Sequence, residues 1–295
     1  MAEWAAVIDA VPGALALAGL LLGALVGSFL NVVAHRLPLM MERAWRQECQ
    51  EVLDTPADES VSAAGEPFDL LRPGSHCPAC RRPVRPRENI PLLSYLLLRG
   101  RCAGCGTRIS PRYPAVEAIT ALLSLVVVLE FGFSLQAGAA LLFTWALVAA
   151  SAIDLDHRLL PDSITLPLMW LGLLVSVNAT FVPPATAILG AAAGYGVLWL
   201  VFQLFRLATG KEGMGYGDFK LLAAIGAWVG WQGLPVVILL SSVVGSVVGV
   251  VLIATLGRGR DYQIPFGPYL AAAGWIGVLW GGDLLGAYLA YSGLD

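Results

Sequence analysis

Two aspartates stand where apolar segments meet charged ones: Asp154 in AIDLDHRLLPD (152–162) and Asp218 in GMGYGDFK (213–220). Asp154 directly follows an apolar run, at a helix C-terminus whose dipole disfavours a negative charge, and an ionisable group at a membrane edge is a functional candidate. Asp218 follows the alternating Gly213, Gly215 and Gly217, which free the backbone and let another chain approach closely. Two such carboxylates brought together cannot both ionise cheaply, so they share a proton. One can then activate water while the other protonates a carbonyl oxygen. That is aspartic-protease chemistry. The other acids have simpler expected roles: Asp162 as the N-cap of the following helix, and Asp156 as a solvated or paired loop carboxylate. Asp218 could also cap its own helix. Gly215 and Gly217 are expected to admit an extended substrate backbone. His35, His76 and His157 lie near loops, and no serine sits in a G-x-S-x-G setting, so no Ser-His pair competes.

A second constellation is CPAC (Cys77, Cys80) followed after 21 residues by CAGC (Cys102, Cys105). Each pair puts two thiolates on one turn, and two such knuckles close a tetrahedral site. Pro78, Gly104 and Gly106 help the chain bend. In a reducing compartment this spacing favours structural zinc over disulfides, with a redox pair or a catalytic metal as alternatives. Four thiolates leave no open position, so such a metal would fold the loop. His76 is then surplus and Cys49 an ordinary thiol.

The elements that must carry these residues are membrane helices. Of the 295 residues 57% are hydrophobic and 13% charged, and mean hydropathy is strongly positive; this is the composition of an integral membrane protein. Apolar spans are expected near 11–33, 115–132, 135–153, 164–182, 185–206, 219–232, 234–256 and 267–290, giving an all-α fold of about eight transmembrane helices. The first lacks the basic flank of a cleavable leader and should remain as an anchor. The sixth is short enough to be re-entrant. If it crosses and the N-terminus lies outside, all 18 Lys and Arg fall in or beside cytoplasmic loops, including Arg258 and Arg260, as the positive-inside rule asks. Asp154 and Asp218, with 63 residues between them, then face the same side. The expected organisation is a first transmembrane helix (1–33), a cytoplasmic zinc-binding loop domain (34–113) carrying 12 of the 18 basic residues, and a seven-helix membrane domain (114–295). Residues 55–67, TPADESVSAAGEP, read as a flexible surface stretch. A net charge of −3 gives no nucleic-acid surface. The pairs Gly23/Gly27, Gly190/Gly194, Gly226/Gly230 and Gly245/Gly249 have the spacing of close helix packing.

These residues, with GSFLNVVAHRLP (27–38), MMERAW (40–45), NIPLLSYLLLRGRC (89–102) and RYPAVEAITA (112–121), resemble the type IV prepilin peptidases, bifunctional leader peptidases and N-methyltransferases of pilus and type II secretion systems. The G-x-G-D element alone is also similar to that of presenilin-like intramembrane proteases. The resemblance implies that Asp154 and Asp218 are the catalytic pair and that Cys77, Cys80, Cys102 and Cys105 bind zinc. It implies prepilin and pseudopilin substrates, whose basic leader is cut after a glycine at the cytoplasmic face of the bacterial inner membrane. The new N-terminal residue is then methylated from S-adenosylmethionine. No Rossmann-type G-x-G-x-x-G is present, so the first cytoplasmic loop is the expected host of methyl transfer, with Gly100, Asn31, His35 and Arg36 as candidates. Against these stand helix-end hydrogen bonding for Asn31 and His35 and a positive-inside anchor for Arg36. Two alternatives remain: a peptidase without methyl transfer, and a proton-coupled transporter, which is disfavoured because transport sites sit near the midplane.

Overall fold

The computed structural model describes residues 12–53, 68–256 and 264–292; the 55–67 stretch and Arg258 and Arg260 lie outside the described residues. Among the described residues the chain is helical, with only two isolated β-bridges. The helices are α1 (Pro12–Leu53), the short α2 (Leu93–Leu97), α3 (Arg112–Phe131), α4 (Leu135–His157), α5 (Asp162–Ser176), α6 (Pro184–Thr209), α7 (Tyr216–Leu256) and α8 (Gly267–Ser292). All eight apolar segments of the sequence lie largely in helix, the sixth and seventh both within α7, but the fourth, expected over 164–182, leaves the helix after Ser176. Five of these helices, α1, α3, α4, α6 and α7, are long and apolar enough to cross a membrane by length and composition. The chain is a multi-pass membrane protein.

Two further boundaries differ from expectation. The first helix does not end near residue 33 but runs to Leu53. The charged stretch that follows, ERAWRQECQEVL, is rich in helix formers, and polarity ends a membrane span without ending a helix. The break between the sixth and seventh segments falls at Gly230 (φ 73°, ψ 172°) rather than at Gly233-Leu234-Pro235. Gly230 adopts a backbone conformation that L-residues avoid, while Pro235 falls close after the break, in the opening of the second half of α7, where its missing N–H costs little.

The chain divides into two compact units, Met1–Val126 and Val127–Asp295. In the first, α1 and α3 meet along a row of small residues. A Cβ on Gly23 would come within 2.7 Å of the Ala121 Cα, and one on Gly27 within 2.8 Å of the Glu117 Cα. One turn on, the buried Asn31 donates to the Tyr113 carbonyl (3.0 Å).

In the second unit the first half of α7 is the centre, packed against α5, α6 and α8. Residues 221–228 are buried without interruption, which explains why this segment is apolar on every face. Backbone contact with α6 depends on glycine: a Cβ on Gly190 would lie 2.1 Å from the Gly226 carbonyl oxygen, and one on Gly194 2.5 Å from that of Leu222. Gly172 of α5 leaves room for Trp228, whose indole donates to the Leu168 carbonyl (3.0 Å). Gly245 and Gly249 meet only side-chain atoms, at 3.3 and 3.2 Å. Gly190→Leu should therefore part α6 from α7 and cost at least about 1–3 kcal/mol. Gly138→Leu, at a site with open space, should be nearly neutral. Thermal unfolding of the two variants in detergent compares them directly.

Candidate active site

Asp154 lies in the last turn of α4. The helix closes with Arg158 in the left-handed region (φ 53°), its N–H bonded to the Asp154 carbonyl at 2.9 Å. The Asp154 side chain is buried, at 5% exposure, and its Oδ2 accepts a hydrogen bond from the backbone N–H of Gly267, the first residue of α8 (3.0 Å). A Cβ at Gly267 would stand 2.6 Å from that same oxygen. Asp218, 9% exposed, lies in the first turn of α7, where the helix dipole favours an anion.

Leu160, buried in the turn between α4 and α5, joins the two. A Cβ on Gly217, the residue before Asp218, would meet the Leu160 Cβ at 2.8 Å, and one on Gly267 would meet its Cδ2 at 3.1 Å. Asp154 and Asp218 are thus brought to the same residue, Leu160. Beside Asp218 the rings of Tyr216, Phe219, Phe202 and Tyr195 form a connected wall with centroids 5.4–5.8 Å apart.

The two candidate glycines have different surroundings. Gly215 faces open space, its nearest neighbour being Asp218 Oδ2 at 3.9 Å from a built Cβ, whereas the space beyond Gly217 is filled by Leu160.

Asp162 does not cap α5. Pro161 holds the N-cap position, and Asp162, the first helical residue, binds Lys220 Nζ through both carboxylate oxygens at 2.7 Å. The proline's fixed φ suits the helix start, so Asp162 is left to take the cation that lies two residues beyond Asp218.

Gly267 escaped sequence reasoning. Its only signal is a glycine between an aromatic and a proline (FGP, 266–268) at the head of an apolar segment, which says nothing of the partner 113 positions away.

Of the residues considered for methyl transfer, Asn31, His35 and Arg36 sit inside α1, not at a helix end. The expected helix-end bonding is therefore replaced for Asn31 by the bond to Tyr113, and His35 is exposed. Arg36 is buried, and more than a membrane-edge anchor: it donates to the carbonyls of Asp69 (3.0 Å) and Pro73, pinning the returning loop to α1. The Asp69 carboxylate takes the N–H groups of Arg72 and Leu71, which hold its pKa below the usual carboxylate value. Gly100 has φ +66° and packs against the Tyr95 ring, where a Cβ would come within 2.9 Å. It alone among these four lines an open concavity of about 550 Å³, together with Tyr95, Arg99, Arg101 and Arg108.

The four cysteines form one cluster whose Sγ atoms all lie within 4.8 Å of one another. The two knuckles have matching backbones: Arg81 N–H bonds the Cys77 carbonyl and Gly106 N–H that of Cys102, with Arg81 (φ 55°) and Gly106 (φ 73°) both left-handed. Sulfur separations of 3.8 Å (Cys77 to Cys105) and 4.0 Å (Cys80 to Cys102) match the edge of about 3.8 Å expected for a tetrahedron with 2.3 Å metal–sulfur bonds. The thiols divide in charge. Cys105 is lowered to about 6 by the Thr107 hydroxyl and backbone, and Cys102 is lowered by the N–H groups of Cys105 and Gly104. At Cys80 the Arg82 N–H favours the thiolate, yet desolvation and the three neighbouring sulfurs raise it to about 11. Four thiols this close shed all their protons only around a cation. His76 stays outside the group, bonded to the Gly74 carbonyl (3.1 Å).

Residues 21–131 match the Bacterial Peptidase A24 N-terminal domain and residues 141–250 the Type IV leader peptidase family. The chain is 54% identical over 283 residues to a prepilin leader peptidase/N-methyltransferase of Stutzerimonas stutzeri, covering 96% of each chain. It is 54% identical over 282 residues to the Pseudomonas aeruginosa protein of that name, again covering 96% of each. The chain belongs to the type IV leader peptidase family. A more distant member, from Neisseria gonorrhoeae, is 49% identical over 255 residues, 86% of this chain and 87% of its own. No solved structure matches. Both matched regions of the leader peptidase family carry one of the constellations above: the cysteines fall in the first, Asp154 and Asp218 in the second.

Proposed function

We propose that this enzyme cuts the basic leader of type IV prepilins and pseudopilins after a glycine, at the cytoplasmic face of the bacterial inner membrane, and then methylates the new N-terminal residue. Asp154 and Asp218 are the catalytic pair. The observation that carries this reading is their convergence: two buried carboxylates, distant in sequence, held on either side of Leu160 at the ends of apolar helices.

The Gly267 N–H holds Asp154 Oδ2, which leaves Oδ1 to take a proton from the attacking water. Asp218, carrying the proton shared by the pair, gives it to the scissile carbonyl oxygen. The tetrahedral intermediate then collapses as a proton passes to the departing amine. Gly215, open on its outer side, is where the substrate backbone lies against the pair; Gly217 contributes by letting Leu160 pack. The N-terminus of the enzyme lies outside, and the cysteine-bearing loop (34–113) faces the cytoplasm.

Zinc is the metal assigned to Cys77, Cys80, Cys102 and Cys105, as a structural ion. S-Adenosylmethionine supplies the methyl group, and we place its binding in the first unit around Gly100, which lines the concavity there.

Purified enzyme incubated with a prepilin and S-adenosylmethionine should yield a product lacking the leader and carrying one added methyl group, read in a single mass spectrum. Cleaved but unmethylated product would reduce the reading to a peptidase, and uncleaved prepilin would end it.

Gly267→Ala tests the geometry. The new methyl group displaces Asp154 Oδ2, and misplacement of a catalytic group by about 1 Å costs about 10²-fold in rate. We expect kcat for leader cleavage to fall by that factor with KM and thermal unfolding little changed.

A further inference from the structure

We propose that residues 90–97 form an in-plane membrane element that seats the cysteine module on an anionic lipid surface. This needs only the membrane spans, not the peptidase reading. The stretch exposes Ile90, Leu93, Leu96 and Leu97, at 43, 49, 71 and 73%. These four large side chains lie within eight residues, in a part of the chain that buries almost nothing else.

The helix they occupy, α2, has five residues and a length of about 7.5 Å, so it cannot be a crossing. Its depth is nevertheless fixed. The Leu92 N–H donates to Glu117 Oε2 at 2.8 Å, and Glu117 is a buried residue in the second turn of α3, one of the helices apolar enough to cross a membrane. One end of α2 is thereby tied level with the mouth of a membrane span, where exposed leucines meet lipid rather than bulk water.

The charges complete the pattern of an interfacial segment. Arg87 and Arg99 bracket the apolar stretch, with Arg85 and Arg101 beyond them. The acid within this run, Glu88, is held by Arg82 at 2.6 Å. Leucines at acyl-chain depth with arginines at headgroup level fit a bilayer bearing negative lipids; an apolar protein partner would gain nothing from the arginines. Cys102 follows Arg99 by three residues, so the second knuckle leaves the lipid surface within one turn and the metal module lies against the membrane.

The test uses the full chain in nanodiscs of phosphatidylcholine and phosphatidylglycerol, with a photo-crosslinking benzoylphenylalanine at Leu96, and separately at Leu97 or Leu93 in case one position is poorly tolerated. Illumination should give lipid adducts at these positions, and more of them than at Arg81, which is exposed in the first knuckle outside the apolar stretch. In the Arg87→Gln/Arg99→Gln background the phosphatidylglycerol share of adducts should fall, by about fivefold per charge at low salt. Absence of lipid adducts at all three leucines, or cross-links to a second protein chain in their place, overturns the proposal. Adducts whose phosphatidylglycerol share ignores the arginines overturn its anionic part.

Discussion

Asp154→Asn and Asp218→Asn should each abolish leader cleavage while leaving the enzyme folded in the membrane. The substitution keeps the shape of the side chain. An amide oxygen at position 154 can still accept the Gly267 N–H that the carboxylate accepts at 3.0 Å, so packing around Leu160 and the start of α8 persists. What is lost is proton exchange, and each proton-transfer role is worth about 10²–10⁴-fold in rate. Because the pair works as one unit, the double variant should be scarcely slower than either single one. Mass spectrometry of a prepilin incubated with each variant reads the loss. Methylation of a peptide supplied already cleaved should continue, which separates a dead peptidase from a collapsed protein. Normal cleavage by either variant would remove the pair from the mechanism.

The chemistry-bearing residues were legible in the sequence because carboxylates at the edge of an apolar segment and cysteines in paired knuckles are expensive to place without use. The count of apolar segments set the expectation that Asp154 and Asp218 face one side of the membrane, and the paired spacing put Cys77, Cys80, Cys102 and Cys105 in one cluster, as the structure shows. What was not legible were contacts that belong to no single segment. The N–H of Gly267 reaches Asp154 across 113 positions, and no local pattern encodes a bond from one helix's first residue to another's last turn. Asp162 illustrates the same limit: its local setting predicted a cap, but Lys220, 58 residues on, claims both oxygens. Arg36 stands in the sequence as a methyl-transfer candidate with a positive-inside anchor as its alternative, because arginine at a membrane end is usually an anchor. Its burial beneath the carbonyls of Asp69 and Pro73 depends on a loop returning from more than 30 residues away. Helix ends failed for a different reason. Hydropathy marks where lipid stops, and α1 continues for 20 residues past the expected boundary because its polar half is still good helix.

Removing the metal should undo the segment between α1 and α3 altogether, and this is the largest stability effect expected anywhere in the chain. Among residues 68–111 only Cys77 and Gly100 are buried. Strand pairing there amounts to two single bridges, His76 with Pro83 and Arg101 with Arg108, and the other backbone bonds are local turns and the five-residue α2. Nothing in that inventory offsets the conformational entropy of some forty residues, roughly 1–2 kcal/mol each for the backbone. Structural zinc in comparably small modules contributes about 10–16 kcal/mol, enough to decide whether the knuckles exist. Arginines such as Arg81, Arg82, Arg101 and Arg108 then become a reporter, since trypsin cuts them readily only when the turns open. Wild-type enzyme in detergent should hold stoichiometric zinc and resist trypsin in this segment, whereas Cys77→Ser or treatment with a strong chelator should release the metal and expose those bonds. Cys49→Ser, at an exposed position near the end of α1, should change neither. A Cys77→Ser protein that stays resistant, or a wild-type protein free of zinc, would mean that the module is held by other forces. The four sulfurs would then need a different reason for standing within 4.8 Å of one another.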